Sequence, residues 1–160
     1  MNDLFNTPFE TGLRAILILS VIRSCGMTID RLSAYDFMTI YGKDFEVSDR
    51  NLHGDNSYSF SELSSKRSVC SEGIKMFVLD GLIAVSRTEG GFLYKLTVAG
   101  RKYIGTLESD YKDQYLAIAE TVHKKYLACC FFKYALTNGF IKTFFAVTSS
   151  VKSISVFSPF

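Results

Sequence analysis

In residues 81–107 the spacing of hydrophobic positions changes from the two-residue period of a strand to the longer period of a helix. Apolar and β-favouring residues lie on either side of the turn residues Glu89-Gly90-Gly91, which predicts a β-hairpin over 82–96. Thr97 can accept a hydrogen bond from the first amides of a helix that we predict over 98–107.

Apolar residues at three- and four-residue steps predict four further helices, over residues 8–24, 28–41, 61–79 and 109–126. Thr7, Pro8 and Glu10 supply a capping box and a helix-starting proline for the first of them, and Thr28 can cap the second. A helix that leads into a two-stranded ribbon is the pattern of a winged helix. The predicted fold class is therefore α+β, mainly helical, with a winged-helix-like core.

The first predicted helix, over residues 8–24, carries apolar side chains on more than one face. Such a helix has to be buried on most sides, either by the rest of the domain or by another subunit. Gly73, in the helix at 61–79, allows a second backbone to approach closely. That second backbone could belong to a partner protein or to the first helix.

The pattern divides the chain into a winged-helix-like domain over 4–126 and an apolar C-terminal tail over 127–160. Within the domain, residues 43–60 are polar and rich in turn formers, which predicts a long exposed loop. The tail holds eight of the 23 aromatic residues and no acidic one. Lys133 and Lys142 interrupt any membrane-spanning helix there, so we interpret the tail as a contact surface for a partner.

Composition favours one compact intracellular domain. With 48% apolar residues, 160 residues can bury a core without disulfides, and none of the four cysteines forms a C-x-x-C pair. The N-terminus lacks the basic and apolar regions of a secretory signal, so we predict a cytoplasmic protein. Residues 1–126 carry 15 basic and 16 acidic side chains, which is not the balance of a dedicated nucleic-acid coat.

No catalytic, metal-binding or cofactor-binding motif is recognisable in the sequence. His53 and His123 are the two histidines, and neither has a metal-ligand spacing with a cysteine or a carboxylate. We expect both to be solvated or hydrogen-bonded imidazoles. The chain has neither a G-x-G-x-x-G motif nor a P-loop, and we predict that it is not an enzyme.

Basic residues of the third helix and the ribbon are candidate DNA contacts: Lys66, Arg67, Lys75 and Lys95. A DNA-binding transcriptional regulator is therefore the alternative function. Four acidic residues in the same segment weaken the attraction to phosphate: Glu62, Glu72, Asp80 and Glu89. A membrane transporter is a third alternative, suggested only by the apolar first helix and the apolar tail. Both segments have the wrong length or charge placement for a membrane span, which argues against it.

Five segments together resemble one protein family. They are Phe5–Arg14 with the sequence FNTPFETGLR, Asp36-Phe37, residues 68–82, Gly90-Gly91, and Leu107–Tyr111. These segments resemble the small middle component of ABC-three-component systems, a group that includes the accessory subunit of Lamassu-type bacterial defence systems. The resemblance covers roughly residues 4–126 and fades in the tail, where the family usually continues with a more polar helix.

The resemblance implies an adaptor rather than an enzyme. In such systems an SMC- or Rad50-like ATPase senses DNA, and a separate effector, often a nuclease, does the damage. The small component is expected to join the two, and to meet DNA through the complex.

Residues at both ends of the chain are the predicted partner contacts: Phe5, Phe9, Arg14, Phe131 and Phe132. Arg14 is a candidate anchor because a guanidinium can form two parallel bonds to a carboxylate across an interface. A local pair with Glu10, one helical turn away, is the alternative role for Arg14.

Overall fold

A computed structural model of the chain describes residues 6–22, 26–56 and 63–127. These residues form five helices and one antiparallel hairpin, which confirms the α+β, mainly helical fold class. The elements are α1 (Pro8–Val21), α2 (Ile29–Ile40), α3 (Leu63–Leu79), β1 (Ile83–Thr88), β2 (Gly91–Leu96), α4 (Val98–Thr106) and α5 (Asp110–Leu127). The first helix ends at Val21 rather than at residue 24, and residues 23–25 lie outside the described ranges.

The predicted caps start three of the helices. The Glu10 amide donates to Thr7 Oγ1 at 3.2 Å, and the Thr7 amide donates back to Glu10 Oε2 at 3.2 Å. This capping box begins α1 directly before Pro8. Thr28 caps α2 and Thr97 caps α4 in the same way, each through its hydroxyl oxygen.

Helix α1 is the centre of the domain. It contacts α2, α3, α4 and β2, and every residue from Arg14 to Leu19 is buried. The prediction that this helix is covered on most sides is confirmed. Most of the cover comes from the domain itself, although Phe9 stays exposed and Leu13 stays half-buried.

Helices α1 and α3 cross at two glycines. A Cβ atom on Gly73 would collide with the carbonyl oxygen of Pro8 and would lie 2.7 Å from the Gly12 amide nitrogen. A Cβ atom on Gly12 would lie 2.5 Å from the Phe77 ring. The backbone that approaches Gly73 is therefore that of α1, one of the two alternatives that the sequence left open.

The predicted hairpin is present, with its turn at Glu89-Gly90 between β1 and β2. Ile83 is paired with Leu96 and Thr88 with Gly91, whose φ of 110° suits a residue without a Cβ. Met27, between α1 and α2, adds a short bridge to β2, because its amide and carbonyl bond with those of Tyr94 at 3.0 and 2.8 Å. The ribbon is thus attached to the helical core along one edge.

The prediction of an exposed loop over residues 43–60 holds only in part for its first half, where Lys43, Glu46, Asp49 and Arg50 are exposed. Phe45 and Asn51 are buried, and the Phe45 ring meets the Phe37 ring edge-on at 5.8 Å. The Leu52 amide donates to the Ile40 carbonyl at 2.8 Å, which ties the segment to the end of α2. Residues 57–60 lie outside the described residues.

Most of the predicted tail, residues 128–160, also lies outside the described residues. None of the described helices combines the length and the apolar content needed to cross a bilayer.

Candidate functional site

A buried ion pair joins α1 to α2. Arg14 Nε donates to Asp36 Oδ1 at 2.7 Å, and Arg14 Nη2 donates to Asp36 Oδ2 at 3.2 Å. Arg14 is 4% exposed and Asp36 is 3% exposed. Nη2 also donates to Thr11 Oγ1 at 3.1 Å, so the two-pronged guanidinium is held from both helices.

Helix α5 supplies the third member of this network. The Tyr115 hydroxyl donates to Asp36 Oδ1 at 2.7 Å, and its side chain is fully buried. Burial alone would raise the pKa of Asp36, but the charge and hydrogen bonds of Arg14 outweigh it and leave that pKa below its ordinary value. Burial, together with the charge of Asp36, raises the pKa of Tyr115 well above its ordinary value. The pair stays ionised and the phenol stays neutral near pH 7.

His53 and Tyr111 continue the network toward the surface. His53 Nε2 lies 2.9 Å from the Tyr111 hydroxyl, and the two rings stack at 6.0 Å between centroids. Tyr111 in turn stacks on Tyr115 at 6.0 Å. Burial, with a contribution from the charge of Arg14, lowers the pKa of His53 to about 4, so its imidazole is neutral near pH 7. Burial raises the pKa of Tyr111 to about 12.

An open pocket of about 360 Å³ lies beside this network. It is lined by residues of α1, the loop after α2, and the junction between α4 and α5: Glu10, Leu13, Arg14, Leu17, His53, Leu107, Glu108, Ser109, Tyr111 and Lys112. Two of the segments that carried the family resemblance, Phe5–Arg14 and Leu107–Tyr111, thus both contribute residues to the lining of one cavity.

The side chains of this network and pocket are suited to holding the helices together and to binding a partner. The ionised groups of the network neutralise each other, and the aromatic hydroxyls are engaged in it. Burial raises the pKa of the nearby Cys70 thiol to about 12, which leaves almost no thiolate at neutral pH. Within residues 6–22, 26–56 and 63–127, no three His, Cys, Asp or Glu side chains cluster as metal ligands.

Residues 4–129 match the model of the ABC-three component (ABC-3C) system Middle Component 2 family. The chain belongs to this family. The match includes every described helix and both strands. No curated protein and no solved structure matches the chain.

Of the predicted partner contacts of this middle component, Phe9 lies on the surface and Arg14 lies in the core. Phe9 is 46% exposed and stacks on Phe77 with 5.7 Å between the ring centroids. Arg14 is a core residue whose salt bridge is with Asp36, so of these two residues only Phe9 presents a large part of its side chain to a partner. Phe5, Phe131 and Phe132 lie outside the described residues.

The candidate DNA contacts of the middle component are not equally accessible. Lys66 is only 7% exposed, because it occupies the same helical stripe of α3 as the buried Cys70. Its ammonium lies 3.3 Å from Asn6 Oδ1 and 5.9 Å from the centre of the Tyr41 ring. Contrary to the expectation from the sequence, Lys66 is therefore not presented to a DNA groove.

The other three candidates are exposed. Arg67 Nε donates to Asp30 Oδ1 at 2.5 Å, so its charge is already paired with α2. Lys75 and Lys95 are exposed on α3 and on β2. Of the three candidate cations on α3, Lys75 is the one that is exposed and forms no salt bridge within the described residues.

Asp36, Tyr111, Tyr115 and His53 were not selected as site residues from the sequence. One signal was available: Arg14 and Asp36 both lie in helices whose neighbouring residues are largely apolar. Because a charge is buried only when it is paired, two opposite charges on such faces indicate a pair. No comparable signal marks His53, since residues 43–56 have no periodic pattern.

Proposed function

We propose that this middle component is a non-catalytic adaptor in a bacterial anti-phage complex built on an SMC- or Rad50-like ATPase, as in Lamassu-type systems. It acts in the cytoplasm, where it couples DNA sensing by the ATPase to activation of an effector nuclease. Membership of the Middle Component 2 family carries the proposal, because that family is a component of a multi-subunit system.

The candidate site supports an adaptor role. Its charged and phenolic groups bind each other in the interior, where they join α1, α2 and α5 into one rigid unit. A rigid unit can transmit a displacement of one partner to another without chemistry of its own. The pocket beside the network adds a concave surface on the same unit.

The surface also supports a protein partner. Large apolar side chains are exposed on α1, α3, the ribbon and α4: Phe9, Met76, Leu79, Val85, Phe92 and Val98. Leu79 is 86% exposed and Phe92 is 56% exposed. Apolar groups of this size are favoured on a surface that another protein covers.

The order of elements supports the winged-helix description. Helix α1, the Met27 bridge, α2, α3 and then the hairpin follow one another along the chain. In the proposed complex the ribbon and the exposed end of α3 serve as protein contacts.

Co-expression with the ATPase and the effector of its own system tests the adaptor function. We expect the chain to co-elute with the ATPase in size-exclusion chromatography. We also expect nuclease activity to depend on ATP and DNA only when this chain is present. The matched control is the ATPase and effector purified without it. Elution of the chain alone, together with full nuclease activation in its absence, would contradict the proposal.

A DNA-binding regulator remains the second candidate, favoured by the order of helices and ribbon and by the exposed Lys75 and Lys95. The engaged states of Lys66 and Arg67 weaken it.

A further inference from the structure

The pocket beside the Arg14–Asp36 pair is large enough for two side chains. Its volume is about 360 Å³, whereas an apolar cavity of about 150 Å³ already admits a benzene-sized group. Leu13, Leu17 and Leu107 provide apolar walls from α1 and from the segment after α4. A ligand that fills it must therefore bring apolar volume equivalent to two leucine or phenylalanine side chains.

The mouth of the pocket is acidic. Glu10 and Glu108 line it, and the exposed Asp110 and Asp113 follow in the first turn of α5. The cation in the described lining besides Arg14 is Lys112, whose ammonium donates to the Leu107 carbonyl at 2.5 Å and lies 4.0 Å from Asp113 Oδ1. Lys112 therefore offsets Asp113, and the carboxylates of Glu10, Glu108 and Asp110 remain in excess. Basic groups on a ligand would thus meet an excess of carboxylates around the opening.

The floor of the pocket carries little net charge. The guanidinium of Arg14 is neutralised by Asp36 at 2.7 Å, and the imidazole of His53 is neutral near pH 7. Nothing in this floor favours an anionic ligand over an apolar one. The electrostatic preference of the site is therefore set by its acidic mouth.

We propose that this pocket receives a pair of adjacent apolar side chains, flanked by lysine or arginine, from another subunit of the same three-component system. Apolar volume and acidic rim together define that occupant, in the way that buried anchors surrounded by a charged rim define other protein interfaces. The inference rests on the proposed adaptor function and names the surface through which it acts.

Two variants test the pocket by different properties. Ser109→Trp fills the opening from an exposed position, and Ser109→Ala is its matched control, because it removes the same hydroxyl without adding volume. Glu108→Lys reverses one rim charge, and Glu120→Lys makes the same change at an exposed position of α5 away from the pocket lining. Binding of each full-length variant to the purified ATPase and to the purified effector is measured by biolayer interferometry at several salt concentrations.

We expect Ser109→Trp to weaken binding to one of these subunits by about tenfold or more relative to Ser109→Ala. Glu108→Lys should weaken it as well and reduce its dependence on salt, whereas Glu120→Lys should bind like the wild type. Thermal unfolding of each variant beside its control verifies that the fold is unchanged.

The outcomes separate this inference from the adaptor proposal. If the wild type binds a subunit and both pocket variants bind as their controls do, the pocket proposal is overturned and the adaptor function stands. A Ser109→Trp effect confined to self-association would also overturn it, since the occupant would then be a second copy of this chain. If the wild type binds neither subunit, the adaptor function itself fails.

Discussion

Asp36 is an ionised side chain inside a helix whose residues from Leu32 to Ile40 are all buried. Its carboxylate accepts three hydrogen bonds, two from Arg14 and one from Tyr115, and these compensate for the loss of water. Removal of one partner from such a group leaves the opposite charge buried without compensation. At the residue scale, the free energy of unfolding therefore depends on the presence of all three side chains, Arg14, Asp36 and Tyr115.

Asp36→Ala should lower the free energy of unfolding by about 3–5 kcal/mol, because it leaves the Arg14 guanidinium buried and uncompensated. The measurement is urea denaturation followed by circular dichroism. Asp30→Ala is the control, since it breaks the exposed pair with Arg67 and should cost at most about 1 kcal/mol. Equal losses for the two variants would show that burial of the Arg14–Asp36 pair has no energetic consequence.

His53 should make the domain less stable in mild acid. Burial lowers its pKa to about 4 in the folded state, whereas the unfolded chain has the ordinary value of 6.5. Between these values the unfolded state binds the proton and the folded state does not. The stabilising effect is therefore complete above pH 6.5 and is lost as the pH falls toward 4.

Thermal midpoints measured between pH 7 and pH 4.5 test this expectation. The loss of stability over that range should be smaller for His53→Gln than for the wild type. His123→Gln retains His53 and should keep the His53 part of the loss. A wild-type profile that is unchanged by His53→Gln would contradict the assignment.

At the scale of elements, the domain is organised by the crossing of α1 and α3. Gly12 and Gly73 let the two backbones approach until no Cβ atom fits between them. Phe77 fills the space above Gly12, and Phe9 stacks on Phe77 from the outside. The position of α3, and with it the start of the ribbon, depends on this contact.

Gly73→Ala should destabilise the domain by about 1–3 kcal/mol or more, because the added methyl group collides with the backbone of α1 rather than with a movable side chain. Chemical denaturation provides the measurement. Gly105→Ala is the matched control in α4, where no atom lies within 4 Å of the added Cβ. That change should be neutral or stabilising by up to about 1 kcal/mol, owing to the higher helix propensity of alanine. Similar destabilisation by both substitutions would argue against the close crossing.

At the scale of the whole molecule, the charge balance bears on whether the chain binds DNA by itself. Residues 1–126 hold 15 basic and 16 acidic side chains, and two of the four candidate cations are engaged by Asn6 or Asp30. A molecule of this kind gains little from the release of counterions at phosphates. We therefore expect contact with DNA to depend on the complex.

The isolated chain should bind duplex DNA only in the non-specific range, with a dissociation constant of about 1 µM or weaker at physiological salt. Fluorescence anisotropy with labelled duplexes measures this. Much tighter binding that is lost in Lys75→Gln plus Lys95→Gln would favour the regulator instead. The control variant, Lys102→Gln plus Lys124→Gln, removes the same charge from other exposed positions.

Sequence periodicity and capping residues were sufficient for the type and order of the elements. Thr7, Thr28 and Thr97 mark helix starts through bonds that span three residues, and the turn at Glu89-Gly90 is equally local. Such signals lie within a few residues of the structure they determine, so they can be recognised without knowledge of the fold. The burial of Phe45 could not be predicted, because this ring packs on Phe37 of α2, a contact that no local pattern indicates.

The amino-acid sequence by itself thus determined the mainly helical fold class, the hairpin, the heavily buried first helix and the family resemblance. Tertiary structure alone decided which groups meet: Arg14 finds Asp36 across 22 residues, and Tyr115 reaches it across 79. The structure also shows that Lys66, a candidate DNA contact, is buried, and it brings Leu13 and Leu107 into the lining of one pocket. The physical reason is that burial and pairing depend on which helix faces pack together, and that choice is made by the whole core at once.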